Sequence, residues 1–153
     1  MERRAQYLWL SGMCLMIILM SVAFLGYVLV WGQMSYWGST VITNLLSFIP
    51  SCLEWITGGF IIANPTLQRF FIFHFILPFL KLALLSLHLY YLHVWSSTCS
   101  LGYTTNNLCL NLALEIIIKD CYGLTIVGII YTLQLFFGLY SICHPDNHVE
   151  VNS

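Results

Sequence analysis

From Arg69 to His93 the chain reads RFFIFHFILPFLKLALLSLHLYYLH, and between those ends its only lysine, arginine or acid is Lys81. About 20 apolar residues suffice to cross the hydrocarbon core of a bilayer. A backbone in lipid must satisfy its own polar groups, so such a run spans as a helix. His74 and His88 lie inside the run, fourteen residues apart. At about 100° per residue that interval closes to within about 40° of whole turns, so both imidazoles share one face, roughly 21 Å apart along the axis. Ionisable groups inside a membrane are costly and usually functional, and a neutral imidazole is a common ligand for metals and haem iron. Two histidines hydrogen-bonded to neighbouring helices are the plainer reading, but the repeated spacing favours ligation.

The rest of the chain has the same character. It is 59% hydrophobic and only 7% charged, against about 25% charged in ordinary soluble domains, and its mean hydropathy is +0.85. A soluble globular domain is excluded, and a formal net charge of −1 with no basic patch excludes a nucleic-acid partner. The opening MERRAQYLWL puts two arginines before an apolar run too long, and too poor in small residues at its end, to be a cleaved signal, so it reads as a retained helix. The six cysteines, Cys14, Cys52, Cys99, Cys109, Cys121 and Cys143, form no CxxC or CxxCH pattern. They predict neither a zinc site nor a covalent haem attachment.

In chain order, a first span is predicted at about 7–31, with no charge between Arg4 and Glu54. Gly12 and Gly26 inside it are again fourteen residues apart. Glycines in membrane helices usually admit a neighbouring backbone. If this helix runs antiparallel to the histidine helix, however, Gly26 lies level with His74 and Gly12 with His88, leaving room for two flat macrocycles. Trp31, Tyr36 and Trp37 form an aromatic belt at the membrane surface. Thr40, Thr43, Asn44 and Ser47 then fall on one helical face, which predicts a short amphipathic helix in the interface at about 39–49. Pro50, Gly58-Gly59 and Asn64-Pro65 mark a turn-rich surface segment containing Glu54 and Trp55. The second span is predicted at about 69–93, bent at Pro78. A mixed polar segment follows, and a third span is predicted at about 121–143, before a polar tail. The fold class is therefore an all-α membrane protein, a single domain of three transmembrane helices with short interfacial helices, part of a larger bundle. Arg3, Arg4 and Lys119 on the N-terminal side against Arg69 opposite place that side in the cytoplasm or a mitochondrial matrix.

The runs GYVLVWGQMSYWGSTVITNLLSFIP and NPTLQRFFIFHFILPF, the IKD before the third span and the HPDN of the tail together resemble mitochondrial cytochrome b of the cytochrome bc complex, respiratory complex III. The resemblance runs from about Trp9 over nearly the whole chain. It implies that the three spans correspond to that family's third to fifth transmembrane helices. His74 then matches the ligand of the low-potential haem iron and His88 that of the high-potential haem iron, with Gly12 and Gly26 lining the haem edges. His93, Ser97, Lys119 and Asp120 match positions of a quinone-reduction site, and Tyr27, Gly38, Val41 and Ile42 the wall of a quinol-oxidation site. His93 follows His88 by five residues, about 140° around the helix, so it points away from the haem face and is free for another ligand.

The implied function is that of a cytochrome b fragment in a quinol–cytochrome c oxidoreductase, not active as an isolated chain. It carries electrons between ubiquinol and ubiquinone through two haem b groups, each shared with a partner chain, and couples this to proton translocation. The implied partners are other cytochrome b fragment chains, cytochrome c1, the Rieske iron–sulfur subunit and the lipid of the mitochondrial inner membrane. Two departures from the pattern stand out. Val30 replaces a proline beside the oxidation site, and Lys81 is foreign to the histidine helix. A lysine there is expected either to meet a carboxylate of another chain or to stay neutral or snorkel to the lipid surface. Missing are the family's first two helices with the partner histidines, the PEWY motif and the last three helices. Start and stop both fall at loops, which fits a split product. The alternatives are a non-redox membrane scaffold whose histidines bind no iron, or a di-haem b anchor of another dehydrogenase. The interfacial helix after WGQMSYWG argues against the anchor.

Overall fold

A charge-free run of Leu, Met, Ile and Val has nowhere in water to bury itself, and in the computed structural model it forms one long helix, α1, Arg3–Leu29. The structure describes residues 3–49, 51–95 and 112–151. Helix α2 covers Gln33–Asn44, α3 Cys52–Thr57 and α4 Asn64–Trp95. The last long helical stretch has π-helical turns at Leu112–Ile117, then α5, Ile118–Leu133, further π-helical turns at Gln134–Gly138, and α6, Leu139–Ile142. Three stretches are long and apolar enough to cross a membrane: Gln6–Leu29, Asn64–Val94 and Leu114–Ile142. The protein is a multi-pass membrane protein with no strand among the described residues. The chain divides into two compact units, residues 1–97 with 145–153, and residues 98–144.

In the first unit α1 and α4 pack antiparallel. Tyr7 near the start of α1 stacks on Tyr91 near the end of α4, with ring centroids 5.8 Å apart. At the other end Phe24 meets Phe70 edge-on at 5.9 Å. Leu25, Val28 and Phe70 form the buried cluster there, flanked by Phe24, Leu29, Ile56 and Leu77. The half-buried positions of α4, His74, Leu77, Lys81, Leu84, His88 and Tyr91, recur every three or four residues, the stripe a helix presents to one neighbour. α4 begins five residues before Arg69. Pro65 stands in its first turn, where its missing N–H has no intrahelical partner to lose.

The corner after α1 is tight. Val30 and Trp31 donate N–H bonds back to Tyr27 and Val28. Trp31 takes a left-handed φ of 57°, a conformation costly for a bulky residue. Trp31, Tyr36 and Trp37 then pack edge-on in series, with centroids 5.8 and 5.2 Å apart.

The short helix differs from its expected 39–49 bounds. It starts at Gln33, and after Asn44 the chain continues as successive turns through Ile49. Of its expected polar face, Thr43 is buried and Thr40 half-buried, while Asn44 and Ser47 are exposed. Ser35, Ser39 and Thr43 are buried against the protein, whereas Met34, Trp37, Val41, Ile42 and Leu45 face outward. The buried hydroxyls donate to nearby backbone carbonyls: Ser35 to Tyr27 at 2.8 Å, Ser39 to Tyr36 at 2.8 Å and Thr43 to Ser39 at 2.7 Å. Small side chains that satisfy themselves this way admit close packing, and the apolar side chains are left for lipid. The third span likewise begins earlier than 121, at Leu114.

Candidate functional site

The two fourteen-residue intervals meet in register. A Cβ on Gly26 would lie 2.7 Å from Cε1 of His74, and one on Gly12 would lie 3.3 Å from Cε1 of His88. Each glycine notch therefore seats an imidazole ring, where the sequence reading gave that space to macrocycle edges. Both rings are half-buried between α1 and α4.

Each ring turns its Nδ1 to an oxygen on α1. Nδ1 of His74 lies 2.9 Å from the carbonyl oxygen of Val22. A carbonyl only accepts, so Nδ1–H donates. Nδ1 of His88 lies 2.8 Å from Oγ of Ser11, and that hydroxyl donates its own proton to the Leu8 carbonyl at 2.9 Å. The Ser11 hydroxyl can accept from Nδ1–H of His88 while it donates to Leu8. Nε2 of neither ring has a hydrogen bond among the described residues. An Nδ1–H held by a backbone or hydroxyl oxygen is the arrangement that fixes tautomer and ring orientation in metal-ligating histidines. Two such nitrogens, one turn-matched face and two seating glycines fit a pair of haem irons. They do not fit a polydentate metal site, since no cluster of three His, Cys, Asp or Glu exists among the described residues.

Ser11 and the Val22 carbonyl went unread in the sequence. A serine beside Gly12 on a charge-free helix was the available sign for the first, while a backbone acceptor leaves no sign at all.

At the α2 end, a cavity of about 440 Å³ opens between α1, α2, α3 and α4, its lining including Phe24, Ile42, Trp55, Arg69 and Phe70. Of the four residues matched to an oxidation site, Ile42 lines it. Tyr27 instead donates its hydroxyl to Oδ1 of Asn147 at 2.8 Å. Val41 is exposed, and a Cβ on Gly38 would meet nothing within 4 Å. Arg69 brings Nη1 to this cavity buried and unpartnered. The segment after Pro145 closes the corner: Gln33 N–H donates to the Val149 carbonyl at 3.0 Å and its side-chain amide to the Glu150 carbonyl at 2.9 Å. Gly32 is needed there, because a Cβ would collide with the Asn147 backbone.

Of the residues matched to a reduction site, Ser97 lies outside the described residues. His93 is exposed on α4 in the first unit. Lys119 and Asp120 are exposed in the second, where Lys119 pairs with Glu115 at 2.9 Å one turn earlier.

Comparison with known proteins agrees with this geometry. The family model for cytochrome b/b6/petB matches residues 1–96. Cytochrome b of Plasmodium falciparum is 47% identical over 145 residues, covering 95% of this chain and 38% of that protein. Cytochrome b of Candida albicans is 44% identical over 149 residues, again 95% and 38%. A solved chain of a hyperthermophilic respiratory complex III shares the fold, with a TM-score of 0.83 at 23% identity over 98% of this chain and 43% of its own length. The chain spans less than half the length of the relatives it matches. Neither a non-redox scaffold nor the anchor of another dehydrogenase gains support from these matches. With its histidine helix, glycine-notched partner and family model in agreement, the chain belongs to the cytochrome b family.

Proposed function

We propose that this chain supplies the central part of a cytochrome b in a quinol–cytochrome c reductase. In this reading His74 and His88 would each hold a b-type haem through a ring nitrogen. When bound, such a group accepts and passes on single electrons. The observation that carries the reading is the shared seating: Nδ1 of each imidazole meets an oxygen of α1, the Val22 carbonyl for His74 and the Ser11 hydroxyl for His88, and both rings lie on the same face of α4. Gly26 and Gly12 hold the rings close to α1, so their positions along the axis are set by the backbone rather than by flexible side chains.

On the oxidation side, Ile42 and Phe24 give an apolar bed suited to a quinol ring, and Tyr27, Gly38 and Val41 are assigned to the same site although they lie outside the cavity lining. For quinone reduction, His93, Ser97, Lys119 and Asp120 are assigned as hydrogen-bond and proton donors. Ubiquinol and ubiquinone are the substrates in this reading, two haem b groups the cofactors, and cytochrome c1, a Rieske protein and further cytochrome b chains the partners, in the mitochondrial inner membrane. The test is a reduced-minus-oxidised spectrum of the complex containing this chain. His88→Leu removes one haem b signal and His74→Leu the other. Survival of both signals in the double variant overturns the assignment.

A further inference from the structure

We propose that Lys81 is a built-in positive charge that raises the reduction potentials of both haem positions, and that of the His74 position more; the inference rests on the haem reading above. Lys81 is seven residues from each histidine, or about 10 Å along the axis from either. It is half-buried on the α1-facing stripe that also carries His74 and His88. Side chains of a helix lean toward its N-terminus, which carries the ammonium from its own Cα level toward His74. Between Gln6 and Leu29 the facing helix contains no acid or base, and α4 itself contains no acid, only Arg69 and the histidines besides Lys81. Among the described residues Lys81 makes no ion pair.

A cation in a low-dielectric span acts over such distances far more strongly than in water. A nearby positive charge favours the reduced, less positive state of an iron centre, and the charge around a centre is among the levers that set its potential. Lys81 therefore lifts the potential of the position nearer to it more than that of the other. An uncharged amine, or an ammonium matched by a carboxylate from another chain, has no such effect, and this separates the proposal from both.

The test is an optical redox titration of the assembled complex, with each haem identified by the signal its own histidine variant loses. K81M keeps the length of the side chain and removes a costly charge from an apolar span, so assembly is expected to survive. K81Q serves as a second uncharged variant. Both are expected to shift both midpoints to lower potential, the His74-held haem further, while K81R leaves both near the native values. Unchanged midpoints in K81M and K81Q, or a larger shift at the His88-held haem, overturn the inference. A native complex with no two haem b signals overturns the haem reading itself, and that result precedes any Lys81 variant.

Discussion

At the residue scale, the two glycines differ in how much room they leave, and the difference orders two substitutions. A methyl on Gly26 stands 2.7 Å from the His74 ring, whereas one on Gly12 stands 3.3 Å from the His88 ring. The first contact is too close for any real Cβ, so the ring must leave its seat and its hydrogen bond to Val22, a loss of about 0.5–1.5 kcal/mol before any effect on ligation. The second needs a shift of only a few tenths of an ångström. Gly26→Ala is expected to weaken or abolish the haem signal assigned to His74, with Gly12→Ala leaving the His88 signal mostly intact. Haem-to-polypeptide ratios of the two variant complexes check this, and equal losses would sink it. Ser11→Ala is a finer probe. It removes the acceptor of His88 Nδ1–H and leaves the ring free to rotate, so the expected outcome is a broadened or shifted haem spectrum at that position alone. An unaltered spectrum would show that Ser11 does not orient the ring. The register behind these predictions was legible in the sequence because two equal intervals, Gly12 to Gly26 and His74 to His88, can align in only one antiparallel way. The proton positions were not legible, since they depend on ring rotation and on a backbone carbonyl that every residue carries.

At the element scale, periodicity located the long helices but misjudged the short one. Thr40, Thr43, Asn44 and Ser47 do share a face, and a water-based reading turns that face outward. The structure instead buries the small-hydroxyl line Ser35, Ser39 and Thr43, leaving Asn44 and Ser47 exposed, because apolar side chains lose nothing by facing lipid and small hydroxyls bonded to nearby carbonyls pack closely. The start of α4 shows the same economy of polar groups. Thr66, fully buried, donates to the Thr57 carbonyl and accepts the Ala63 N–H at 3.2 Å, tying α3 to α4. Thr66→Val keeps the shape and removes both bonds, leaving a buried donor and acceptor unmet. The expected loss is about 1–3 kcal/mol, read as a lower thermal denaturation midpoint of the assembled complex, with Thr66→Ser close to native. A valine variant as stable as the native protein would mean that water replaces both bonds.

At the scale of the whole molecule, what the described helices leave uncovered says what must surround them. Within the most apolar windows of the three spans, 11%, 6% and 0% of residues are buried. A bilayer accepts such apolar faces, but a polar Nε2 on His74 or His88 is costly there without a partner. Histidines within the described spans occur on α4 alone, since His144 and His148 follow the third span. A bis-imidazole haem needs its second ligand from a facing helix, and α1, the helix that packs on α4, offers glycines and a serine at those levels. In the proposed haem reading, the second ligands therefore come from outside the described helices. The isolated 153-residue chain, reconstituted with haem in lipid nanodiscs, is expected to give no stoichiometric low-spin b-type spectrum. Co-assembly with a chain that presents two histidines about fourteen residues apart on one helix, the spacing that matches α4, is expected to restore two haems per assembly. Two tightly bound low-spin haems on the isolated chain would show that ligation is completed without that partner, and the arrangement proposed for α1 and α4 would have to be abandoned.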